Sequence, residues 1–244
     1  MKYELIATAT FGLEAVVKME LQDLGYSVVK VEDGKVTFIG DERAIVHTNM
    51  WLRTADRVYI KVAEFKAETF EELFQQVRGI GWEDFLTVDA AFPVVGTSVK
   101  STLHSVPSCQ SIIKKAIVSR LSDFYVQNHF DEAGANYRIR FSILKNHVTL
   151  LLDTSGAGLH KRGYRAVDVA APMKETLAAA LVRLSFWKEG VMRRDKDNPD
   201  HVARILVDPC CGSGTILIEA AMMARNIAPG LNRKFAAMAW DFIP

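Results

Sequence analysis

Residues 206–222, LVDPCCGSGTILIEAAM, join a short apolar run to a tight glycine turn and an apolar helix start. Asp208 ends the run, Gly212, Ser213 and Gly214 form the turn, and Thr215 opens the helix. Glycines there let backbone approach a ligand closely, and a helix N-terminus offers unpaired N–H groups to an anion. Two familiar readings fail on spacing. A phosphate-binding P-loop needs a Lys after the second glycine, and none follows Gly214; a dinucleotide fingerprint needs a third glycine where Leu217 stands. What remains is a carboxylate suited to a ligand ammonium, beside a helix terminus suited to a ligand carboxylate. Together they suit an amino-acid moiety, such as the methionine part of S-adenosylmethionine. The plainer alternative is a βα turn in which Asp208 only satisfies backbone donors. Cys211 invites a nucleophile reading, but a nucleophile must face a target base, whereas this turn faces the cofactor or the core. Cys210 and Cys211 are therefore expected to be small, buried and reduced.

A second constellation is basic. Lys100, His104, Lys114, Lys115 and Arg120 lie in or beside a helix expected at 109–124, and His160, Lys161, Arg162, Tyr164 and Arg165 crowd a Gly-flanked run. Short basic runs with an aromatic suit phosphate contacts and stacking on unpaired bases. Lys114 and Lys115 read equally well as a solvated helix face. The run HKRGYR favours RNA contact, because a flexible basic loop between domains is well placed to meet RNA.

Thirty Lys and Arg against 29 Asp and Glu leave no global charge, so nucleic-acid binding must come from these patches. Three cysteines without metal-ligand spacing argue against a disulfide framework or zinc site. The N-terminus lacks a signal-peptide apolar stretch, and no window approaches 18 uninterrupted apolar residues. These features predict a reduced, soluble, cytoplasmic protein.

The elements that must position these residues follow from periodicity. A strand at 3–9, a helix closed by Gly25, a hairpin across Asp33-Gly34, a helix near 41–53 and a strand at 57–65 give the β-α-β-β-α-β order of a ferredoxin-like unit, 1–66. A second α/β unit, 67–155, starts at Thr69 as helix cap and holds helices at 69–79 and 109–124. Its strands are expected near 92–100 and on both sides of Lys145-Asn146. A basic junction follows at 156–172, then a third unit, 173–244: helix 174–187, polar segment 193–204, buried parallel strand 204–208 and helix 214–226. Trp51, Trp82, Trp187 and Trp240 fall mostly on apolar faces as core anchors.

The stretch DPCCGSGTILIEAA resembles the first motif of class I S-adenosylmethionine-dependent methyltransferases, specifically the bacterial RNA guanine-N2 group with a THUMP domain. SVKSTLHSVPSCQSIIKKAIVSRL resembles the strand-loop-helix of a THUMP RNA-binding domain. LLLDTSGAGLHKRGYR with APMKETLAAALV resembles the junction into the catalytic domain, so the resemblance covers essentially the whole chain. It implies an α+β fold: a ferredoxin-like unit, a THUMP domain and the start of a Rossmann-like methyltransferase domain. It implies methyl transfer to a guanine N2, in 23S ribosomal RNA first and tRNA second. S-adenosylmethionine would lie against Asp208, Gly212, Ser213, Gly214 and Thr215, flanked by Lys174, Glu175 and Thr176. The family's Asn-Pro-Pro-Tyr-type loop and the acid that holds the cofactor ribose have no counterpart here, so no catalytic residue is assigned. The chain is expected to be an N-terminal portion that binds RNA and holds the cofactor only weakly; the competing expectation is a non-catalytic RNA-binding protein.

Overall fold

A computed structural model describes residues 1–165, 172–185, 187 and 205–243. The first six elements are β1 (Tyr3–Ala9), α1 (Glu14–Asp23), β2 (Val28–Glu32), β3 (Lys35–Gly40), α2 (Glu42–Trp51) and β4 (Ala55–Lys66). They appear in the expected β-α-β-β-α-β order. The next set is α3 (Phe70–Arg78), β5 (Val94–Val99), α4 (Val106–Tyr125), β6 (Ile139–Leu144) and β7 (His147–Asp153), and the last helices are α5 (Glu175–Leu184) and α6 (Thr215–Ala224). None of the described helices is long and apolar enough to cross a membrane.

The units do not carry separate sheets. One seven-stranded sheet runs β2-β3-β1-β4-β7-β6-β5, antiparallel except for the β5–β6 pair. Strand β4 makes the fusion. Its first half pairs with β1, Leu5 against Ile60, and its second half pairs with β7 from Tyr59 against Asp153 to Lys66 against His147. A register shift between Lys61 and Ala63 absorbs the change of partner. One apolar core follows the sheet, from Leu5, Leu21 and Phe38 to Trp82, Ile113, Leu121 and Phe141.

Local chemistry sets the element ends. Thr69 caps α3 by accepting from the Glu72 amide, as expected from the spacing. The β6–β7 turn places Lys145 (φ 50°) and Asn146 (φ 65°) in the left-handed region, the two-residue geometry whose twist matches the strands. Helix α4 starts earlier than its apolar period, because Ser105 caps it and Pro107 fits its first turn.

Two expectations for the third unit differ. Residues 205–208 form no strand, and Ile205 and Val207 are 83% and 74% exposed. A parallel strand needs strands beside it to bury its apolar faces, and none lies there among the described residues. Arg204 and the polar segment at 193–203 lie outside the described residues. Residues 227–243 were not foreseen as an element that returns to the first two units. The Gly230 amide donates to the Met50 carbonyl (2.9 Å) and the Ala237 amide to Thr154 (3.0 Å). Trp240 stacks on Tyr137 at 4.9 Å between centroids and donates Nε1–H to the Asn136 carbonyl at 3.1 Å.

Candidate cofactor and RNA site

The turn before α6 has the geometry its glycines suggest. Gly212 and Gly214 have φ of 52° and 72°, and a Cβ on either would meet nothing within 4 Å. The turn is thus open on the side a ligand would occupy. An Asp208 carboxylate oxygen accepts from the Cys210 amide at 3.1 Å, and the Gly214 amide donates to the Cys211 carbonyl at 2.7 Å. Ser213 Oγ and Thr215 Oγ1 lie 2.9 Å apart. No side chain caps α6, which leaves its first amides to a ligand anion. Both cysteines are exposed, not buried, since the strand that was to carry them into a core is absent from 205–208. Gly214→Ala is expected to cost about 1–2 kcal/mol from backbone strain alone. Amide exchange in the first turn of α6 should then quicken by about five- to thirtyfold.

The basic junction is split by the fold. Arg162 is buried, its Nε at 3.3 Å from Glu219 Oε1 on α6. It also donates to the carbonyls of Leu159 (2.7 Å) and Arg53. Tyr164 donates its hydroxyl to the same Glu219 oxygen at 3.0 Å. Burial drives the Glu219 carboxyl up, against the pull of Arg162 and Tyr164, and burial beside Glu219 drives the Tyr164 phenol up. Arg165 bridges Glu175 Oε1 (3.0 Å) and Thr215 Oγ1 (3.0 Å), joining the starts of α5 and α6. The expectation of RNA contact is corrected for Arg162, whose donors are turned inward on protein acceptors. Exposed Lys161 and half-buried His160 face an open cleft with Arg165, Met173, Lys174 and Glu175.

The flanking trio is also held by protein. Lys174 Nζ lies 2.6 Å from Asp56 on β4, and Thr176 Oγ1 donates to the same carboxylate at 3.2 Å. Thr176 is fully buried, which corrects its assignment to ligand contact; Glu175 is buried against Arg165. Burial and then the Lys174 charge hold His160 below its ordinary value of 6.5. The folded chain therefore favours neutral His160, and that contribution to stability is full above about pH 6.5 and lost as pH falls through the lowered value. His160→Gln should remove this acid-side loss, read from urea midpoints between about pH 7 and 5.

Along α4 the cations part ways. Lys100, His104 and Lys115 are exposed, whereas Lys114 pairs with Glu132 at 2.5 Å over the Phe92 ring and Arg120 pairs with Glu83. Lys114 and Lys115 line a groove with Pro93 and Gln110 beside β5, separate from the junction cleft.

A ferredoxin-like unit is thus fused through one sheet to a second α/β unit and followed by a glycine turn at the start of a helix. Family models match accordingly: the RlmL ferredoxin-like domain over residues 4–59, the THUMP domain over 67–153 and the RMKL-like methyltransferase domain over 162–241. The chain thus carries these three domains in that order, the domain set of THUMP-domain class I RNA methyltransferases. It is 52% identical to the Bacillus subtilis protein named "Putative RNA methyltransferase YpsC", over 99% of this chain and 60% of that one. Among solved structures, a Listeria monocytogenes protein described as a "predicted N6-adenine-specific DNA methylase" superposes with TM-score 0.91 at 54% identity, over 100% of this chain and 61% of that one. A protein described as "SMU.472, a putative methyltransferase complexed with SAH" superposes with TM-score 0.89 at 45% identity, over 100% of this chain and 61% of that one. The chain thus spans about 60% of the length of these relatives.

Proposed function

We infer that the chain is the RNA-recognition part and first cofactor turn of an S-adenosylmethionine-dependent methyltransferase acting on guanine N2 of 23S ribosomal RNA. One observation carries the reading: the open Gly212–Gly214 turn leads into Thr215, which Arg165 joins to Glu175 at the start of α5, and Arg165 also lines a cleft with Lys161 and His160. The residues fit the cofactor. The α6 amides suit its carboxylate, Asp208 would hold its ammonium, and the missing Cβ atoms leave room for its approach. When bound, the cofactor supplies an electrophilic methyl group. A guanine amine is a weak nucleophile because its lone pair is delocalised, so this chain's part is placement: Lys161 holds the RNA backbone while the clamp fixes the turn. The guanine and 23S assignments rest on the motif resemblance, with tRNA as the competing substrate.

Gel shifts with 23S rRNA fragments, tRNA and duplex DNA, across a salt series, test the reading. RNA affinity should fall steeply with salt, and Lys161→Ala should weaken every RNA while lowering the salt slope by about one. Tightest binding to duplex DNA, as the description of the Listeria relative would have it, would refute the substrate class. Unchanged affinity in the variant would remove Lys161 from the site.

A further inference from the structure

Cys210 and Cys211 are adjacent, free and exposed, whereas the third cysteine, Cys109, is buried. They also occupy the hinge of the turn. The Cys210 amide is held by Asp208 and the Cys211 carbonyl by the Gly214 amide. The two cysteines therefore stand between the acid and the helix start, and each carries one of the contacts that hold the turn. Neither thiol is needed for methyl transfer in the reading above, so two exposed sulfurs stand in the cofactor turn without a role.

We propose that Cys210 and Cys211 form a vicinal dithiol site that takes two-electron oxidants of the peroxide class and closes to a reversible disulfide. In the first step a thiolate attacks the peroxide, an S–O bond forms, the O–O bond breaks, and water leaves after protonation. In the second step the neighbouring sulfur attacks that sulfenic acid, the S–S bond forms and a second water leaves. Two thiols and one hydrogen peroxide thus give one disulfide and two waters, with each sulfur giving up one electron. Neighbouring Cα atoms across a trans peptide are about 3.8 Å apart, below the usual disulfide span of about 4.4–6.8 Å. The bridge is therefore strained and easily reduced, the character of a labile rather than a structural disulfide. Its ring resets the torsions on which the Asp208 and Gly214 contacts depend, so the oxidised turn loosens.

The test reads sulfur chemistry directly and stands whatever the methyl acceptor. The tryptic peptide Ile205–Arg225 carries both thiols and no other cysteine. After hydrogen peroxide treatment of the whole chain, this peptide should lose two hydrogens and resist iodoacetamide, and dithiothreitol should restore two alkylatable thiols. Cys109 should stay unmodified throughout. Amide exchange in the first turn of α6 should quicken on oxidation and recover on reduction. Phenylarsine oxide, which needs two neighbouring thiols, should block the same peptide in the untreated chain. Cys210→Ser should abolish both the two-hydrogen loss and the arsenical adduct, in a chain whose circular dichroism is unchanged. Oxygen addition to each sulfur separately, or cross-linking between chains without the intrapeptide bridge, would overturn the proposal, as would unchanged exchange in the bridged form.

Discussion

Arg162→Ala should destabilise the chain by about 3–5 kcal/mol, the cost of leaving a buried carboxylate without its counter-charge. The Arg162 and Glu219 side chains are 2% and 0% exposed, so water cannot replace the lost partner. The guanidinium also donates to the Leu159 and Arg53 carbonyls, which fixes the junction against both the first unit and α6. Lysine cannot serve three directions with one compact ammonium, so Arg162→Lys should recover little. The pair Arg162→Met/Glu219→Leu, which removes both charges and keeps volume, should recover most of the loss. Urea unfolding of the four chains checks this. A loss below about 1 kcal/mol for Arg162→Ala would place the charge pair at the surface range and contradict its burial.

Trp240→Ala is expected to cost a similar amount, about 3–5 kcal/mol, because it removes a large buried ring. Trp240 is 2% exposed, stacks on Tyr137 and touches Phe242, so the void would open between the returning segment and the β5–β6 side of the sheet. Trp240→Phe keeps an aromatic face but drops the Nε1–H bond to Asn136, and should lose only about 1 kcal/mol on that account. Urea midpoints separate the two. Equal losses would mean that the hydrogen bond, not the ring, holds the segment.

The first two units were legible because their signals are local. Asp33-Gly34, Lys145-Asn146 and Thr69 mark turns and a cap whose chemistry acts over two to four residues, and the structure has β2–β3, β6–β7 and the α3 start there. Fusion of the two units through β4 was not legible, since the pairing of Tyr59 with Asp153 spans nearly the whole second unit. Alternation within β4 shows a strand but not its second neighbour. The site divides the same way. Its glycines announced an open turn, because positive φ and absent Cβ are properties of the residue itself. The run HKRGYR did not announce its division, because charge alone does not distinguish an arginine aimed at phosphate from one aimed at Glu219. Residue type favours the buried role for arginine, whose fork meets several acceptors at once, over lysine. Glu219 was missed altogether: a single acid in the apolar run TILIEAAMMA, on the face buried against Arg162 and Tyr164, was the available clue.

The double pairing of β4 also sets a timetable for synthesis. Lys66 ends the strand, and its partner His147 is made 81 residues later. At about 5–20 residues per second, the outer edge of β4 waits roughly 4–16 s for β7. An unpaired strand edge is a template for pairing with another nascent chain. Arg57, Lys61, Glu64 and Lys66 place four charges along this one, three of them on the stretch that β7 later covers with Leu151, Thr149 and His147. These charges act as temporary guards. Once β7 arrives, Arg57 turns to Asp153 and Lys61 sits between Glu4 and Glu64, so groups that discourage a stranger become the ion pairs of the finished sheet.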